Sequence, residues 1–399
     1  MIPRLLEPVL RRAAATYPVV TLTGPRQSGK TTLLKAVFPE HNHVSLEDLD
    51  IRAFAREDPR GFLNSFPPPV LFDEAQRVPD LFSYLQSRVD EQPVPGQYLL
   101  SGSQNFLLLA SVSQSLAGRC AILHLHPFTL AELAGRPPLD LSTIGQNLPT
   151  ACEASWQTDV MTTVHTGFYP RIHDQRLEPQ EWLRYYTQTY LERDVRSMVT
   201  VGDLAAFERF LRLCAGRVGS LLNLSSLAMD AGVSHTTARR WLSLLETSFI
   251  TLLLRPHHGN FNKRLIKSPK LYFLDTGLLC YLLRIRSPED LAFHASRGAV
   301  FESFVVAEFY KNAAHRGLEA PFHFWRDAAG HEVDLLIETD NSTVPLEIKS
   351  GQTLSSDSFT GLEYWRTLTG KPDRPAALVY AGDQIAQRRN TILYPWHCL

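Results

Sequence analysis

Cysteine is scarce in this chain, with five in 399 residues. Cys120, Cys152, Cys214, Cys280 and Cys398 are odd in number, far apart and nowhere spaced C-x-x-C. That argues against a disulfide framework or a zinc ribbon and fits a reducing compartment. Long apolar runs are also missing. None approaches the ~20 residues of a membrane-spanning helix, so no membrane partner is expected. The opening stretch Met1-Ile2-Pro3-Arg4-Leu5-Leu6-Glu7-Pro8 lacks the apolar region of a signal peptide, and a cytoplasmic location is the expectation. Neither charge is in excess: 40 Lys+Arg stand against 41 Asp+Glu, a net charge of −1. A wholesale basic binder is excluded, and attraction to nucleic acid must come from a local patch. There is no internal repeat and no low-complexity tract.

What is present is enough chain for two to four domains at roughly 100–200 residues each. In the first third, short apolar runs alternate with helical patterns. Val19–Thr23, Val44–Leu46, Val70–Asp73, Gln97–Leu100 and Ala121–Leu123 read as buried strands, with helices over Lys30–Phe38 and Asp80–Val89 between them. This alternation predicts an α/β fold with a mostly parallel sheet covered on both faces. Pro137-Pro138 begins an irregular stretch that reads as a boundary. Charge is uneven along the chain. Residues 31–100 hold 11 acidic and 6 basic side chains, and residues 203–275 hold 10 basic and 5 acidic.

Gly24-Pro25-Arg26-Gln27-Ser28-Gly29-Lys30-Thr31, followed by Thr32, fits G-x-x-x-x-G-K-[ST] between a predicted strand and a predicted helix. Backbone N–H groups of such a loop, with the positive end of the helix, cradle phosphates. Lys30 is expected to reach the β and γ phosphates of ATP, and the Thr31 hydroxyl to ligate Mg2+. Val70-Leu71-Phe72-Asp73-Glu74 is an apolar strand ending in two carboxylates. At the carboxyl end of a strand in such a sheet, Asp73 would hold the magnesium shell and Glu74 would polarise the attacking water. Ser103, after the next strand, is a candidate γ-phosphate sensor. Arg119 is expected close to the nucleotide edge of the sheet, assisting the transition state in its own subunit or in a neighbour's.

These segments, Pro25 to Leu33, Phe72-Asp73-Glu74-Ala75-Gln76, Ser101-Gly102-Ser103 and Leu116-Ala117-Gly118-Arg119, resemble a prokaryotic AAA+ ATPase. The closer resemblance is to the family joining an AAA domain (AAA_14) to a C-terminal DUF4143 domain. It implies ATP and Mg2+ as cofactors and a homo-oligomer, a ring such as a hexamer. The expected division is an AAA+ P-loop domain over 1–135, a helical linker or lid over 136–200, a winged helix over 201–290 and a further α/β domain over 291–399.

The basic middle segment carries a second pattern. A helix starting at Ser225, the turn Ala231-Gly232-Val233, and a helix capped by Ser234 make a helix-turn-helix signature. His235, Thr236, Thr237, Arg239 and Arg240 would face outward, as residues entering a major groove do. Two strands then flank a basic stretch with Lys263, Arg264 and Lys267, which reads as a wing suited to DNA phosphates. A lid or subunit-contact role is the alternative.

From Gly298 a helix, three strands, a helix and a strand resemble the PD-(D/E)xK nuclease fold. The matching residues are Glu302, Asp334, Glu347 and Lys349, with Val333 standing where the pattern has proline. Carboxylates gathered on one strand face suit a hard cation. The resemblance implies a metal-dependent nuclease site, with Lys349 activating the water. The leading expectation is an ATPase coupled to DNA engagement. An ATP-dependent structure-specific nuclease and a nucleotide-switched scaffold with little turnover are the alternatives.

Overall fold

The computed structural model describes residues 2–103, 115–148, 158–190, 204–257, 267–319, 322–339, 342–371 and 373–399. The amino-terminal third is an α/β layer structure. Its five strands are β1 (Val19–Thr23), β2 (Asn42–Ser45), β3 (Val70–Asp73), β4 (Tyr98–Gly102) and β5 (Cys120–His124). They lie in the order β2-β3-β4-β1-β5, every pair parallel. All five residues of β1 are buried, as a central strand covered on both faces requires. Alternate residues feed two cores. Val20, Leu22, Leu71 and Leu99 pack with Leu33 and Leu34 on one face. Val19, Phe72, Tyr98 and Leu100 pack with Phe62, Phe82 and Leu85 on the other.

Because all five strands run the same way, the segments leaving β1, β3 and β4 emerge along one edge. Arg119 is on the opposite edge. It precedes β5, whose first residue Cys120 pairs with Val19, the first residue of β1. The expectation that it approaches its own subunit's nucleotide edge is therefore wrong, since the length of a strand, roughly 16 Å at ~3.3 Å per residue, intervenes.

Helices Val160–Thr166, Pro170–Gln175 and Pro179–Tyr190 follow, then Leu204–Ala215, Leu224–Ala231 and His235–Thr247, and the antiparallel hairpin β6 (Thr251–Leu254) and β7 (Lys270–Phe273). The last third is a six-stranded mixed sheet. Its strands are β8 (Phe322–Arg326), β9 (Glu332–Thr339), β10 (Ser342–Lys349), β11 (Ala376–Tyr380), β12 (Ala386–Arg388) and β13 (Thr391–Pro395), in the order β12-β13-β11-β10-β9-β8. The 19-residue helix Arg297–His315 packs against it. One apolar core runs from Phe128 through these helices and the hairpin to Leu399. Cys120, Cys214 and Cys280 are free thiols, whereas Cys398 is disulfide-bonded, a bond that the cysteine count and spacing did not foreshadow.

The segment leaving β5 meets helix Arg297–His315 through buried polar contacts. Glu132 sits in a capping box, accepting the Thr129 N–H at 2.9 Å while its own N–H bonds the Thr129 hydroxyl. Glu132 also accepts Arg4 Nε at 3.1 Å and the Leu5 N–H at 2.8 Å, and lies 3.3 Å from His315 Nδ1. Burial would raise its pKa, but Arg4 and His315 outweigh that and hold it well below the carboxylate range. Lys311 Nζ donates to Phe128 O at 2.6 Å, and Glu308 accepts the Leu130 N–H at 2.8 Å.

His126 and His315 are fully buried in the same junction, where the His126 N–H donates to His315 Nε2 at 3.0 Å. Burial lowers both pKa values, with neighbouring cationic groups adding to the shift at His126. Above the ordinary histidine value of 6.5 both folded and unfolded states are neutral. Below it the unfolded chain takes up protons that the folded chain does not, so stability is lost as pH falls. Urea denaturation should show a loss of about 1 kcal/mol from His126 between pH 6.5 and 5.5, with a contribution of the same sign from His315. His126→Phe, beside the rings of Phe249 and Tyr310, should remove its share; an unchanged pH dependence in that variant would refute the assignment.

Candidate functional site

The loop Gly24–Thr31 leaves β1 and turns into helix Lys30–Val37 at the carboxyl edge of the first sheet. Gly24 has φ +155°, and a Cβ there would lie 2.1 Å from Leu125 O, so no side chain fits. Ser28 is fully buried, and its hydroxyl has no hydrogen-bond partner among the described residues. Lys30 is buried under the loop, its Nζ donating to Gly24 O at 3.0 Å and Pro25 O at 2.8 Å. Arg26 and Thr31 are half-buried, whereas Gln27 and Thr32 are exposed. An orphaned buried hydroxyl, a lysine donating to loop carbonyls and a glycine with no room for Cβ together fit a phosphate group at this loop.

The two carboxylates of β3 flank the loop. Thr31 Oγ1 donates to Asp73 at 3.1 and 3.0 Å. Asp73 also accepts from Ser101 Oγ on β4 and lies 3.7 Å from His43 Nε2. Burial lowers the His43 pKa, with repulsion from Lys35 adding to it. Glu74 has φ +54°, a left-handed conformation uncommon for a residue with a side chain. Its carboxylate accepts from Gln76 Nε2 at 2.5 Å and lies 3.5 Å from Ser103 Oγ. Thr31, Asp73, Glu74 and Ser103 are thus brought together with Lys30, and a hydroxyl beside one carboxylate suits a magnesium ion that takes its other ligands from phosphate and water.

Beside the loop is a cavity of about 510 Å³, the size of a small-ligand site. Its walls include Ile2, Arg4, Gly29, Leu33, Phe128 and Pro170. This places Pro170, which ends the run Gly167-Phe168-Tyr169-Pro170 to which sequence reasoning attaches no chemistry, in the wall of the cavity beside the phosphate loop. Ser101, Gln76 and Arg4 were also missed. Ser101 had a signal, since it shares the strand end with Ser103. Arg4 had none, because its partners Ser28 O (2.8 Å), His126 O (2.7 Å) and Glu132 are remote in sequence.

Arg119 pairs with Asp90 at 2.5 and 3.0 Å on the exposed opposite edge. On helix His235–Thr247, His235, Thr236, Arg239 and Arg240 are exposed and Thr237 is half-buried, while Ala238, Trp241, Leu242 and Leu245 face the core. Ser234 caps this helix by accepting the Thr237 N–H at 3.1 Å. Lys267 is exposed, and Lys263 and Arg264 lie outside the described residues.

The C-terminal constellation also converges. Glu302 accepts from Lys270 Nζ at 2.9 Å and Tyr272 OH at 2.5 Å. Lys349 Nζ lies 2.5 Å from Glu347 and 3.9 Å from Asp334, and Asp334 accepts the Ile348 N–H at 2.8 Å. Burial raises the Glu347 pKa, and the Asp334 charge adds to the shift. Lys270 also pairs with Glu332, and neither residue was singled out in the sequence. Among the described residues no group of three acidic, histidine or cysteine side chains is arranged to hold a metal ion. The residues do not fit the cation that the nuclease resemblance implies.

No helix among the described residues is long and apolar enough to cross a membrane. Residues 16–134 match the family described as AAA domain, AAA_14. Residues 157–289 match a domain of unknown function, DUF8612, and residues 297–399 another, DUF4143. Uncharacterized proteins of Mycobacterium tuberculosis and Mycobacterium bovis are each 33% identical over 349 residues, covering 87% of this chain and 73% of theirs. A Walker-type ATPase of Pyrococcus abyssi is 17% identical, with a TM-score of 0.43, covering 70% of this chain and 95% of that one. On the mycobacterial relatives and on the AAA and DUF4143 matches at its two ends, the chain belongs to the AAA+ ATPase family that joins an AAA_14 domain to a C-terminal DUF4143 domain.

Proposed function

We propose that this chain hydrolyses ATP with magnesium and couples the reaction to DNA engagement in an oligomer. The observation that carries the hydrolytic reading is the convergence of Lys30, Thr31, Asp73 and Glu74 on one edge of the parallel sheet. The loop amides and Lys30 bind the β and γ phosphates, and the cavity beside Pro170 receives the nucleoside. Thr31 and Asp73 hold magnesium, which supplies positive charge against the phosphate oxygens. Glu74 takes the proton of the attacking water, with Gln76 and Ser103 fixing its carboxylate.

Arg119, on the far edge, is assigned to a neighbouring subunit's nucleotide. DNA engagement is assigned to the exposed face His235, Thr236, Thr237, Arg239 and Arg240, with Lys263, Arg264 and Lys267 contacting phosphates. Its support is the polar, basic outer face of a capped helix whose inner face is apolar.

Steady-state hydrolysis with and without DNA at low salt tests both parts. Glu74→Gln should retain nucleotide binding and lose hydrolysis by about 10²–10⁴-fold. A Glu74→Gln protein that turns over at the wild-type rate would sink the assignment. Arg239→Ala with Arg240→Ala should weaken DNA binding and relax any base preference, whereas Lys263→Ala with Lys267→Ala should reduce the slope of log affinity against log salt by about 2. Unaltered DNA binding, or hydrolysis indifferent to DNA, would return this helix to a lid or assembly role.

A further inference from the structure

The acid centre of the C-terminal sheet already holds a cation of its own. Lys270, the first residue of β7, is 2% exposed, and its ammonium bonds Glu302 and Glu332 and faces the ring of Phe324 at 5.7 Å. Burial alone would discharge this lysine, but Glu302, Asp334 and Glu332 raise its pKa and keep it charged. Each carboxylate of the group has at least one partner, although Glu347 Oε2 is buried without a hydrogen bond among the described residues. Glu302 takes Lys270 and Tyr272, Glu332 takes Lys270 and Arg326 (2.9 Å), Glu347 takes Lys349, and Asp334 takes the Ile348 N–H.

We infer that Lys270 is the resident counter-ion of this centre, standing where the nuclease pattern has a divalent metal, and that the centre latches the β6–β7 hairpin to the C-terminal sheet instead of cleaving phosphodiesters. A hard divalent cation needs several unprotonated oxygens of its own. Here a cation taking Glu302 would have to expel an ammonium that is buried and doubly paired, and one taking Asp334 and Glu347 would meet the ammonium of Lys349. The juxtaposition also explains how acidic residues accumulate at one spot, since the Lys270 charge offsets part of their mutual repulsion. Glu302 comes from helix Arg297–His315, Glu332 and Asp334 from β9, and Lys270 from the hairpin beside the helix-turn-helix. Removing one partner of such a buried set is far more costly than removing both.

Manganese binding followed by electron paramagnetic resonance on the full chain tests this. An Asp73→Asn background, without nucleotide, keeps the phosphate-loop site from contributing. No bound ion should be displaced on adding Asp334→Asn to that background. Lys270→Met should lower the melting temperature by roughly 5–10 °C, and Lys270→Met with Glu302→Gln should recover part of the loss. A manganese ion bound by the parent and lost with Asp334→Asn would overturn the proposal, as would metal-dependent DNA cleavage abolished by that change. A Lys270→Met protein that melts at the parent temperature would overturn the latch. If Lys270→Met does not fold, the Asp334→Asn comparison still decides the metal question.

Discussion

The buried pair Arg4–Glu132 is the contact on which the two ends of the molecule depend. Glu132 joins residues 128 positions apart in sequence, satisfies the Thr129 and Leu5 N–H groups and lies against His315. Arg4 uses the rest of its guanidinium on Ser28 O in the phosphate loop and His126 O beyond β5. An ion pair this deep is not favourable merely for being an ion pair, because desolvating both charges is costly. Its value is geometric. The fork of one guanidinium fixes three backbone segments at once, and only a carboxylate with several further donors keeps that charge tolerable in a core.

The phosphate loop and the long C-terminal helix are consequently not independent bodies. Ser28 O, Arg4, Glu132 and His315 form an unbroken line of contacts from the loop to that helix, and Lys311 and Glu308 add two further ties nearby. The cavity beside the loop is bounded by the same Arg4 and by Pro170 of the following helix. Whatever fills it therefore touches Arg4, which reaches the long helix through Glu132, a contiguous physical route between sites, although contiguity alone does not measure coupling.

Much of this was legible in the sequence, where the governing signal is local. The strand–loop–helix at Gly24, the apolar strand ending in Asp73-Glu74, the capped helix at Ser234 and the strands β8, β9 and β10 are each set by residues close together in the chain. What could not be read depends on partners far apart in the chain. Arg4 and Ser101 become meaningful only when the sheet brings their acceptors to them. Lys270 looks like one more cation of a basic segment until Glu302 and Glu332 arrive from the C-terminal third. β12 and β13 escaped notice because strands this short, here joined by a turn at Arg389 and Asn390 with φ +50° and +56°, carry little periodic signal. The Val333 departure from the nuclease pattern was visible, but it was the smaller warning. The larger one, a buried lysine in the acid centre, needed three dimensions.

The direction of the strands also constrains how subunits would have to meet. In a sheet where every strand is parallel, groups at strand starts and groups at strand ends are separated by a strand's length, and no loop adjustment within one chain removes that distance. Glu74 ends β3 and Arg119 precedes β5, so a single chain does not bring both to one phosphate. If Arg119 serves a nucleotide, it serves one held by another copy. The copies must then contact each other head to tail, the near edge of one sheet against the far edge of the next. Such an interface is heterologous and does not close as a twofold dimer; it closes as a ring or continues as a filament. The Asp90 carboxylate that pairs with Arg119 in the single chain sits exposed at that edge, and an exposed pair of this kind is weak enough to be exchanged for an intersubunit one.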